Sequence, residues 1–310
     1  LNMLLSMCWD SKFHGFRLLL KTNFMRILSL GLFSFQCGLN GRYYYSVFDY
    51  EERTGKEEDI SPEGGIELDH VSFAYDDGKK VLEDVCFTIQ PGQTIAIVGA
   101  NGAGKSTFSK MILGLYEPEE GIVWYSGKNV AEYAESFVFR HLSAVFQDYC
   151  RYYFTVQENI CIGNPENLDM DFMAQLMEKL QIQIRNKTTK KQQLSVKLGV
   201  EFGGEELSGG TWQKIAIARG LYKNHKFIVF DEPTAALDPL VEERIIQQIV
   251  SHNPSAIKVY ITHRMSMTTS ANLIIVFDRG KIVEVGTHFE LMEKKGLYEQ
   301  LWRAQAEWYE

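Results

Sequence analysis

The chain has 310 residues, of which 45% are hydrophobic, so it can bury one sizeable core or two modest ones. Its formal net charge is −8, which argues against the global basic field of a nucleic-acid-binding protein. The cysteines are odd in number, scattered and never in C-x-x-C spacing, which is typical of reduced cytosolic thiols rather than of disulfides or a zinc site. They are Cys8, Cys37, Cys86, Cys150 and Cys161.

The first 50 residues carry five basic side chains against two acids, together with many Leu, Phe and Tyr. Their longest nearly uncharged stretch, Ile27 to Leu39, has thirteen residues. A helix that spans a bilayer needs about 20 apolar residues. We interpret residues 1–50 as an incomplete remnant of a membrane domain or as a leader, with a peripheral amphipathic anchor as the alternative. Residues 51–65 are rich in acids, proline and glycine, which predicts an acidic linker.

A folded domain is expected over residues 66–310. Apolar and polar residues alternate from Ile66 to Tyr75 and again from Val81 to Ile89, so both segments are predicted strands. Thr94 to Val98 is an apolar strand that leads into a glycine-rich loop, and Ile122 to Tyr125 is a further predicted strand.

The glycine-rich loop fits the pattern G-x-x-x-x-G-K-[ST] between a predicted strand and a predicted helix. Its small residues let backbone N–H groups converge on phosphate oxygens, and the dipole of the following helix adds positive potential. Lys105 is expected to reach the β- and γ-phosphates, and Ser106 to bind Mg²⁺. The pattern predicts a nucleoside triphosphate site formed by Gly99, Ala100, Asn101, Gly102, Ala103, Gly104, Lys105, Ser106 and Thr107.

The middle of the chain contains an amphipathic segment, Asp169 to Ile184, whose apolar residues share one face of a predicted helix. We interpret its methionines as core residues rather than as a cofactor site. The next segment, Arg185 to Lys197, has five basic residues and no acid, but also no aromatic residue. It therefore predicts a solvated surface and no nucleic-acid partner.

From Phe227 onward, apolar strands alternate with helical patterns, which predicts a parallel sheet covered by helices. The predicted segments are strands at Phe227–Phe230, Ile257–Ile261 and Leu273–Phe277, a helix at Val241–Val250, and a helical stretch at Phe289–Trp308.

Two acids, Asp231 and Glu232, follow the buried strand that starts at Phe227. Such a strand would deliver Asp231 to the carboxyl edge of the sheet, where it can organise the hydration of Mg²⁺. Glu232 would then polarise the attacking water beside the γ-phosphate.

Four further motifs follow in order along the chain. Gln147 closes Leu142–Gln147, Leu207-Ser208-Gly209-Gly210-Thr211 precedes a predicted helix, Ala235–Asp238 follows Glu232, and His263 closes Ile261–His263. Together with Tyr75 and the phosphate loop, these motifs resemble those of the ATP-binding cassette (ABC) ATPases over about residues 66–300. The resemblance implies an α/β fold of the P-loop NTPase class. It would have a RecA-like parallel sheet with helices on both faces, an antiparallel β subdomain, and an α-helical subdomain at about residues 148–215.

The resemblance also implies roles for individual residues. Tyr75 is expected to stack on adenine, Gln147 to sense Mg²⁺ and the attacking water, and His263 to donate a hydrogen bond to the γ-phosphate. On this basis the catalytic residues would be Glu232, His263 and Gln147, and the metal-binding residues Ser106, Gln147 and Asp231.

The signature residues Ser208, Gly209 and Gly210 open a helix without bulky side chains, so the helix N-terminus can bind phosphate. In the family this signature faces ATP held by another subunit, which gives two ATP molecules in one dimer interface. Asp238 is expected to act across the same interface. The implied cofactors are ATP and Mg²⁺, and the implied partner is a second ABC ATPase subunit in a homodimer.

Two features depart from the family. Thr211 occupies a position where the family usually has glutamine, which puts dimer packing or the rate of turnover in question. Exporters of the family also carry several hundred residues of membrane helices before such a linker, whereas only about 50 residues precede it here. Transport is therefore expected to need the transmembrane helices of an exporter, supplied by another chain or lost from this one.

The linker, Glu158-Asn-Ile and the segment Tyr298–Trp302 resemble exporters, and Phe202–Gln213 resembles bacterial exporters of lantibiotics or related peptides. The predicted function is ATP hydrolysis coupled to export of a peptide at the cytoplasmic face of the cell membrane. The chain would act there peripherally or as a fragment of an integral membrane protein. Two alternatives are a soluble ABC ATPase without a transport role and an inactive fragment of a truncated exporter gene.

Overall fold

The computed structural model describes residues 53–55, 64–75, 78–165, 167–184, 189–234 and 237–306. The predictions for residues 1–50, for most of the linker, for the basic residues at 185–188 and for Ala235 and Ala236 lie outside this part of the chain. Within it, no helix is both long enough and apolar enough to cross a membrane.

The described chain forms two compact units, one of which consists of residues 53–55 and 131–140. In this small unit, Arg53 Nε donates a hydrogen bond to the carbonyl of Tyr133 at 3.0 Å, and the amide of Glu135 donates to the carbonyl of Arg53 at 3.0 Å. The rings of Tyr133 and Phe137 stack. The sheets and the candidate site lie in the larger unit, which contains residues 64–130 and 141–306. The domain boundaries drawn from the sequence stay predictions.

Ten strands of the described residues lie in two sheets. In chain order they are β1 (Ile66–Ala74), β2 (Lys80–Ile89), β3 (Thr94–Gly99), β4 (Glu120–Tyr125), β5 (Lys128–Asn129), β6 (Leu142–Val145), β7 (Phe227–Asp231), β8 (Ile257–Ile261), β9 (Leu273–Asp278) and β10 (Lys281–Gly286). The first sheet has the order β2-β1-β4-β5 and is antiparallel throughout. Its alternating pattern confirms the sequence prediction, because Ile66, Leu68 and Val71 are buried and Glu67 and Asp69 are exposed.

The second sheet has the order β10-β9-β3-β8-β7-β6, and all its neighbours are parallel except the β9–β10 pair. Strands β3, β7 and β8 are buried over their whole length, as expected of strands covered on both faces. Their carboxyl ends meet at one edge of the sheet, and the loops that follow them carry the candidate site.

Nine α-helices occur in the described residues. They are α1 (Lys105–Ile112), α2 (Glu135–His141), α3 (Val156–Cys161), α4 (Met170–Lys179), α5 (Lys190–Leu194), α6 (Gly209–Tyr222), α7 (Pro239–Ser251), α8 (His288–Lys294) and α9 (Leu297–Ala306). Short 3₁₀ helices lie at Val130–Glu132, Val200–Phe202 and Met265–Ser270. The main core of the larger unit joins the parallel sheet to helices that include α3, α4 and α6, and the side chain of Trp212 is buried within it.

Two predicted helices differ from the observed ones. The helix predicted from Asp169 to Ile184 is shorter: the carboxylate of Asp169 caps its start, and α4 ends at Lys179 because Gln181 adopts a left-handed conformation with φ +51°. Ile184 is nevertheless buried, as predicted for this face. The predicted C-terminal helix is split into α8 and α9, because Lys295 has φ +53° and Gly296 follows it.

A histidine is buried near the amino end of β7, next to partly buried basic residues. His225 is 2% exposed, its Nδ1 lies 2.7 Å from the carbonyl oxygen of Lys223, and its ring stacks on His252. Burial lowers the pKa of His225 from 6.5 to about 4 and that of Lys223 from 10.5 to about 8. His225 is therefore neutral in the folded protein at pH values where the unfolded chain is protonated.

We expect the protein to lose stability in acid through His225. Because its pKa is lower in the folded state, its contribution is complete above pH 6.5 and is lost as the pH falls to about 4. Through His225 alone, the free energy of unfolding is expected to be about 3 kcal/mol lower below pH 4 than above pH 6.5. Urea unfolding across this pH range measures it, with His225→Gln as the comparison. An equally steep loss in the variant would show that other groups cause the acid sensitivity.

Candidate functional site

The loop after β3 curls tightly because glycines occupy its positions with positive φ. Gly99 has φ +144°, and a Cβ there would lie 2.2 Å from the carbonyl oxygen of Phe277. Gly104 has φ +104° and begins α1, and its carbonyl accepts the first helical hydrogen bond from Phe108 N at 2.8 Å. Gly280, in the β9–β10 turn, donates its amide to Ala103 O at 2.9 Å. The loop is therefore supported from the neighbouring strands.

Lys105 is the cation at the centre of this loop. It is 6% exposed, and its Nζ donates hydrogen bonds of 2.8 Å to the carbonyls of Gly99 and Ala100. Burial lowers the pKa of Lys105, and the carboxylates of Glu232 and Asp231 counteract that effect. A triphosphate in the loop would meet a fixed positive charge and the amino end of α1.

Ser106 and Asp231 form an oxygen-rich pair beside Lys105. Asp231 ends β7 and is 7% exposed. Burial raises the pKa of Asp231, whereas a hydrogen bond from the Ser106 side chain lowers it. A hydroxyl next to a carboxylate is a donor set of the kind that Mg²⁺ accepts together with phosphate oxygens and water. The residues present therefore fit the predicted metal.

Glu232 and His263 face each other at the ends of β7 and β8. The His263 Nε2 lies 2.9 Å from Glu232 Oε1, and their side chains are 43% and 21% exposed. Glu232 has φ +49°, an uncommon conformation for a non-glycine residue. Its amide donates to the carbonyl of Ile261 at 3.1 Å. A left-handed residue fixed in this way directs its carboxylate towards the histidine.

Lys105, Ser106, Glu232 and His263 border a cavity of about 640 Å³. Tyr75 lies at its rim, 39% exposed, with its hydroxyl 3.0 Å from that of Thr107. The ring of Tyr75 stands edge-on to the rings of Phe73 and Tyr116. The lining residues are Tyr75, Lys79, Lys80, Val81, Asn101, Gly102, Gly104, Lys105, Ser106, Thr107, Glu232, His263, Arg279 and Gly280.

Five of the lining residues were not found from the sequence: Lys79, Lys80, Val81, Arg279 and Gly280. They come from the start of β2 and from the β9–β10 turn. The amide of Glu83 in β2 donates to the carbonyl of Gly280 at 3.0 Å, and this bond joins the two elements. A basic pair before a strand and an Arg-Gly turn are common surface sequences. The sequence carried no signal for them, because only the pairing of these elements brings them to the phosphate loop.

Gln147, Asp238 and the signature residues Ser208, Gly209 and Gly210 do not line this cavity. Ser208 caps α6 by accepting from the amide of Thr211 at 3.2 Å, and the hydroxyls of these two residues lie 2.9 Å apart. Ser208 and Gly209 are exposed, as are Gln147 beyond β6 and Asp238 at the start of α7. The hydroxyl of Tyr149 donates to Gly209 O at 3.0 Å, so the segment after Gln147 contacts the signature helix.

An ion pair between α7 and the loop after β8 was also not found from the sequence. The carboxylate of Glu242, 3% exposed, accepts from the Thr234 hydroxyl and the Arg264 guanidinium. Arg264 also donates to the carbonyl of Leu237 at 3.3 Å. The segment that leads to Asp238 is thereby connected to the residue after His263.

Comparisons with known proteins agree with this arrangement. Residues 82–235 match the family model described as ABC transporter. The subtilin transport ATP-binding protein of Bacillus subtilis is 34% identical over 267 residues, which cover 85% of this chain and 43% of that protein. The nisin transport ATP-binding protein of Lactococcus lactis subsp. lactis is 33% identical over 242 residues, covering 77% and 40%. The chain thus spans about two fifths of the length of these relatives.

A solved structure of a bacterial Atm1-family ABC exporter with ATP bound is also similar, with a TM-score of 0.75 and 28% sequence identity. It covers 86% of this chain and 47% of that chain. The motif resemblance and the predicted α/β fold are both confirmed. The chain belongs to the ABC transporter family and carries its ATP-binding, ATP-hydrolysing domain of the exporter type.

Proposed function

We propose that the chain drives an exporter by closing two copies of this domain around two molecules of Mg·ATP. One observation carries the proposal. Lys105, Glu232 and His263 border one cavity, whereas the signature at Ser208 lies exposed outside it on the amino end of α6. The amino end of α6 is thus a second phosphate-binding surface that does not line the cavity of its own chain. It is available to a nucleotide bound by another copy.

Lys105 would bind the β- and γ-phosphates in exchange for its two bonds to loop carbonyls. Ser106 and Asp231 would hold Mg²⁺, and Gln147 would join them from its exposed position beyond β6. The metal, when bound, supplies positive charge that neutralises the developing negative charge on the phosphates.

Glu232 would accept the proton of the attacking water, since its carboxylate is fixed at the cavity wall and contacts His263. His263 would donate a hydrogen bond to the γ-phosphate and help to hold Glu232 in place. Tyr75 would stack on adenine, because its half-exposed ring lies at the cavity rim.

The partner copy would contribute Ser208, Gly209 and Gly210 to the same nucleotide, and Asp238 to the interface. Thr211 supports this role despite its departure from the family, because its amide and hydroxyl both contact the Ser208 hydroxyl. We therefore expect the signature to be functional. Any effect of Thr211 in place of glutamine should appear in the rate of ATP turnover.

Export would take place at the cytoplasmic face of the cell membrane, with the transmembrane helices of an exporter as the second partner. The two relatives reported above are named for the transport of subtilin and nisin. Their similarity, together with the segment Phe202–Gln213, supports a peptide of the lantibiotic type as the cargo.

Removal of the metal tests the proposed chemistry. The purified 310-residue chain is expected to release phosphate from ATP with Mg²⁺ and to stop in excess chelator, because Ser106 and Asp231 then lack the cation that joins them to the phosphates. Phosphate release is measured before chelation, after it, and after Mg²⁺ is restored. Undiminished release in chelator would contradict the role proposed for these two residues.

A further inference from the structure

The C-terminal helix α9 is fixed at its amino end by buried contacts. The carboxylate of Glu284 accepts hydrogen bonds from the amides of Leu297 and Tyr298 at 2.8 and 2.9 Å. A carboxylate at a helix N-terminus also complements the helix dipole. Tyr298 is fully buried, and its hydroxyl lies 2.6 Å from the Thr268 hydroxyl and 2.8 Å from His288 Nδ1. Because its amino end is fixed, the position of the carboxyl end of α9 is set as well.

At that other end, Gln305 contacts the backbone on both sides of the His263 loop. Its Nε2 donates to the carbonyl of His263 at 2.7 Å, and its Oε1 accepts from the amide of Met265 at 2.5 Å. The amide orientation follows from these partners, since a reversed side chain would set oxygen against oxygen and N–H against N–H. One side chain thus satisfies two backbone groups of the loop that carries His263.

Two cavities border the loop that carries His263. His263 borders the nucleotide cavity on one side and a second cavity of about 510 Å³ on the other. The second cavity lies between the loop and α9 and is lined by Val98, Gly99, Thr262, His263, Met265, Leu301, Ala304 and Gln305. Because His263 itself borders space, the hydrogen bonds of Gln305 help to hold it, together with the buried side chain of Met265 and the ion pair of Arg264.

We propose that Gln305 is a positioning residue for His263, so that α9 sets the place of the histidine that faces Glu232. The inference rests on the function proposed for His263. With the bonds of Gln305 intact, the backbone at residues 263 and 265 is fixed, and the imidazole stays 2.9 Å from the Glu232 carboxylate. Without them, the ring would sample positions away from Glu232 and the γ-phosphate.

The test is a double-mutant cycle in the full chain. Gln305→Met preserves length and helix propensity but removes both bonds, and Gln305→Glu keeps the acceptor for Met265 while losing the donor to His263. Gln300→Met is the matched control, since Gln300 is exposed on the same helix. The kcat and KM for Mg·ATP are measured for each variant, alone and combined with His263→Ala, and thermal unfolding confirms that each is folded.

Both Gln305 variants are expected to lower kcat by about 10- to 100-fold, the effect of a small misplacement of a catalytic group, with little change in KM. Gln300→Met is expected to behave as the parent. In the His263→Ala background, Gln305→Met is expected to cause no further loss, because both changes act on one group.

Three results would overturn the inference. An unchanged kcat in Gln305→Met, while His263→Ala is impaired, would contradict the role of Gln305 and leave the proposed function intact. An equal fold-loss in the presence and absence of His263 would show that Gln305 acts elsewhere. An unimpaired His263→Ala would contradict the role of His263 itself, and with it both proposals.

Discussion

Lys105→Ala is expected to abolish ATP binding at concentrations that saturate the parent protein. The loop around residue 105 otherwise offers only backbone amides and hydroxyls to four phosphate charges, and Lys105 is its buried cation. Each hydrogen bond to a charged group contributes about 1.5–3 kcal/mol, so loss of two such contacts weakens affinity by at least about two orders of magnitude.

Equilibrium dialysis with labelled ATP measures the loss. Lys191→Ala is a suitable control, because Lys191 is an exposed lysine of α5 whose ion pair is with Asp171, outside the cavity. Circular dichroism must show that the Lys105 variant is folded, since Lys105 also bonds to the loop carbonyls. ATP affinity equal to that of the parent would show that the phosphate-loop assignment is wrong.

Glu232→Gln is expected to keep ATP binding and to lose turnover by about 10²- to 10⁴-fold, the usual contribution of a general base. The amide has the size of the carboxylate and can still accept a hydrogen bond from His263, but it cannot take the proton of the attacking water. ATP-bound dimers should then accumulate, because the interface forms and hydrolysis no longer opens it.

Phosphate release in a single turnover measures the loss, and retention of labelled ATP measures binding. Glu243→Gln is the matched control, because Glu243 is an exposed glutamate of α7. Parent-like turnover in Glu232→Gln would mean that another group activates water. If the same variant lost ATP binding, Glu232 would instead contribute to the binding of phosphate or metal.

Much of the site could be predicted from local sequence, because a phosphate loop and the ends of buried strands are short, contiguous features. Gly99 to Thr107 needs only its own glycines and the strand and helix on either side. The 2.9 Å contact between Glu232 and His263 is different in kind. It depends on β7 and β8 being parallel neighbours, which a strand pattern suggests but does not specify.

Features that depend on the exact end of a helix were not predicted. The break at Lys295 and Gly296 separates α8 from α9, and it decides which side chains of α9 reach the His263 loop. The helical spacing of residues 289–308 continues across that break, although Lys295 followed by Gly296 is a helix C-terminus signal. Gln305 and Arg279 were missed because each acquires its neighbours from tertiary packing rather than from a motif.

The most direct test of the shared-site proposal mixes two inactive variants. Glu232→Gln lacks the general base, whereas Gly209→Asp places a carboxylate on the signature. A Cβ at Gly209 would meet no atom within 4 Å, so this change should leave the chain's own packing undisturbed and repel only the partner's nucleotide. In a mixed dimer, one site combines the normal Glu232 of one chain with the normal signature of the other.

Phosphate release from Mg·ATP is measured for each variant alone and for an equal mixture at the same total concentration. If ATP is hydrolysed between two copies, the mixture should recover turnover that neither variant shows alone. A mixture whose rate is only the average of the two separate rates would contradict the shared site and place all of the chemistry within a single chain.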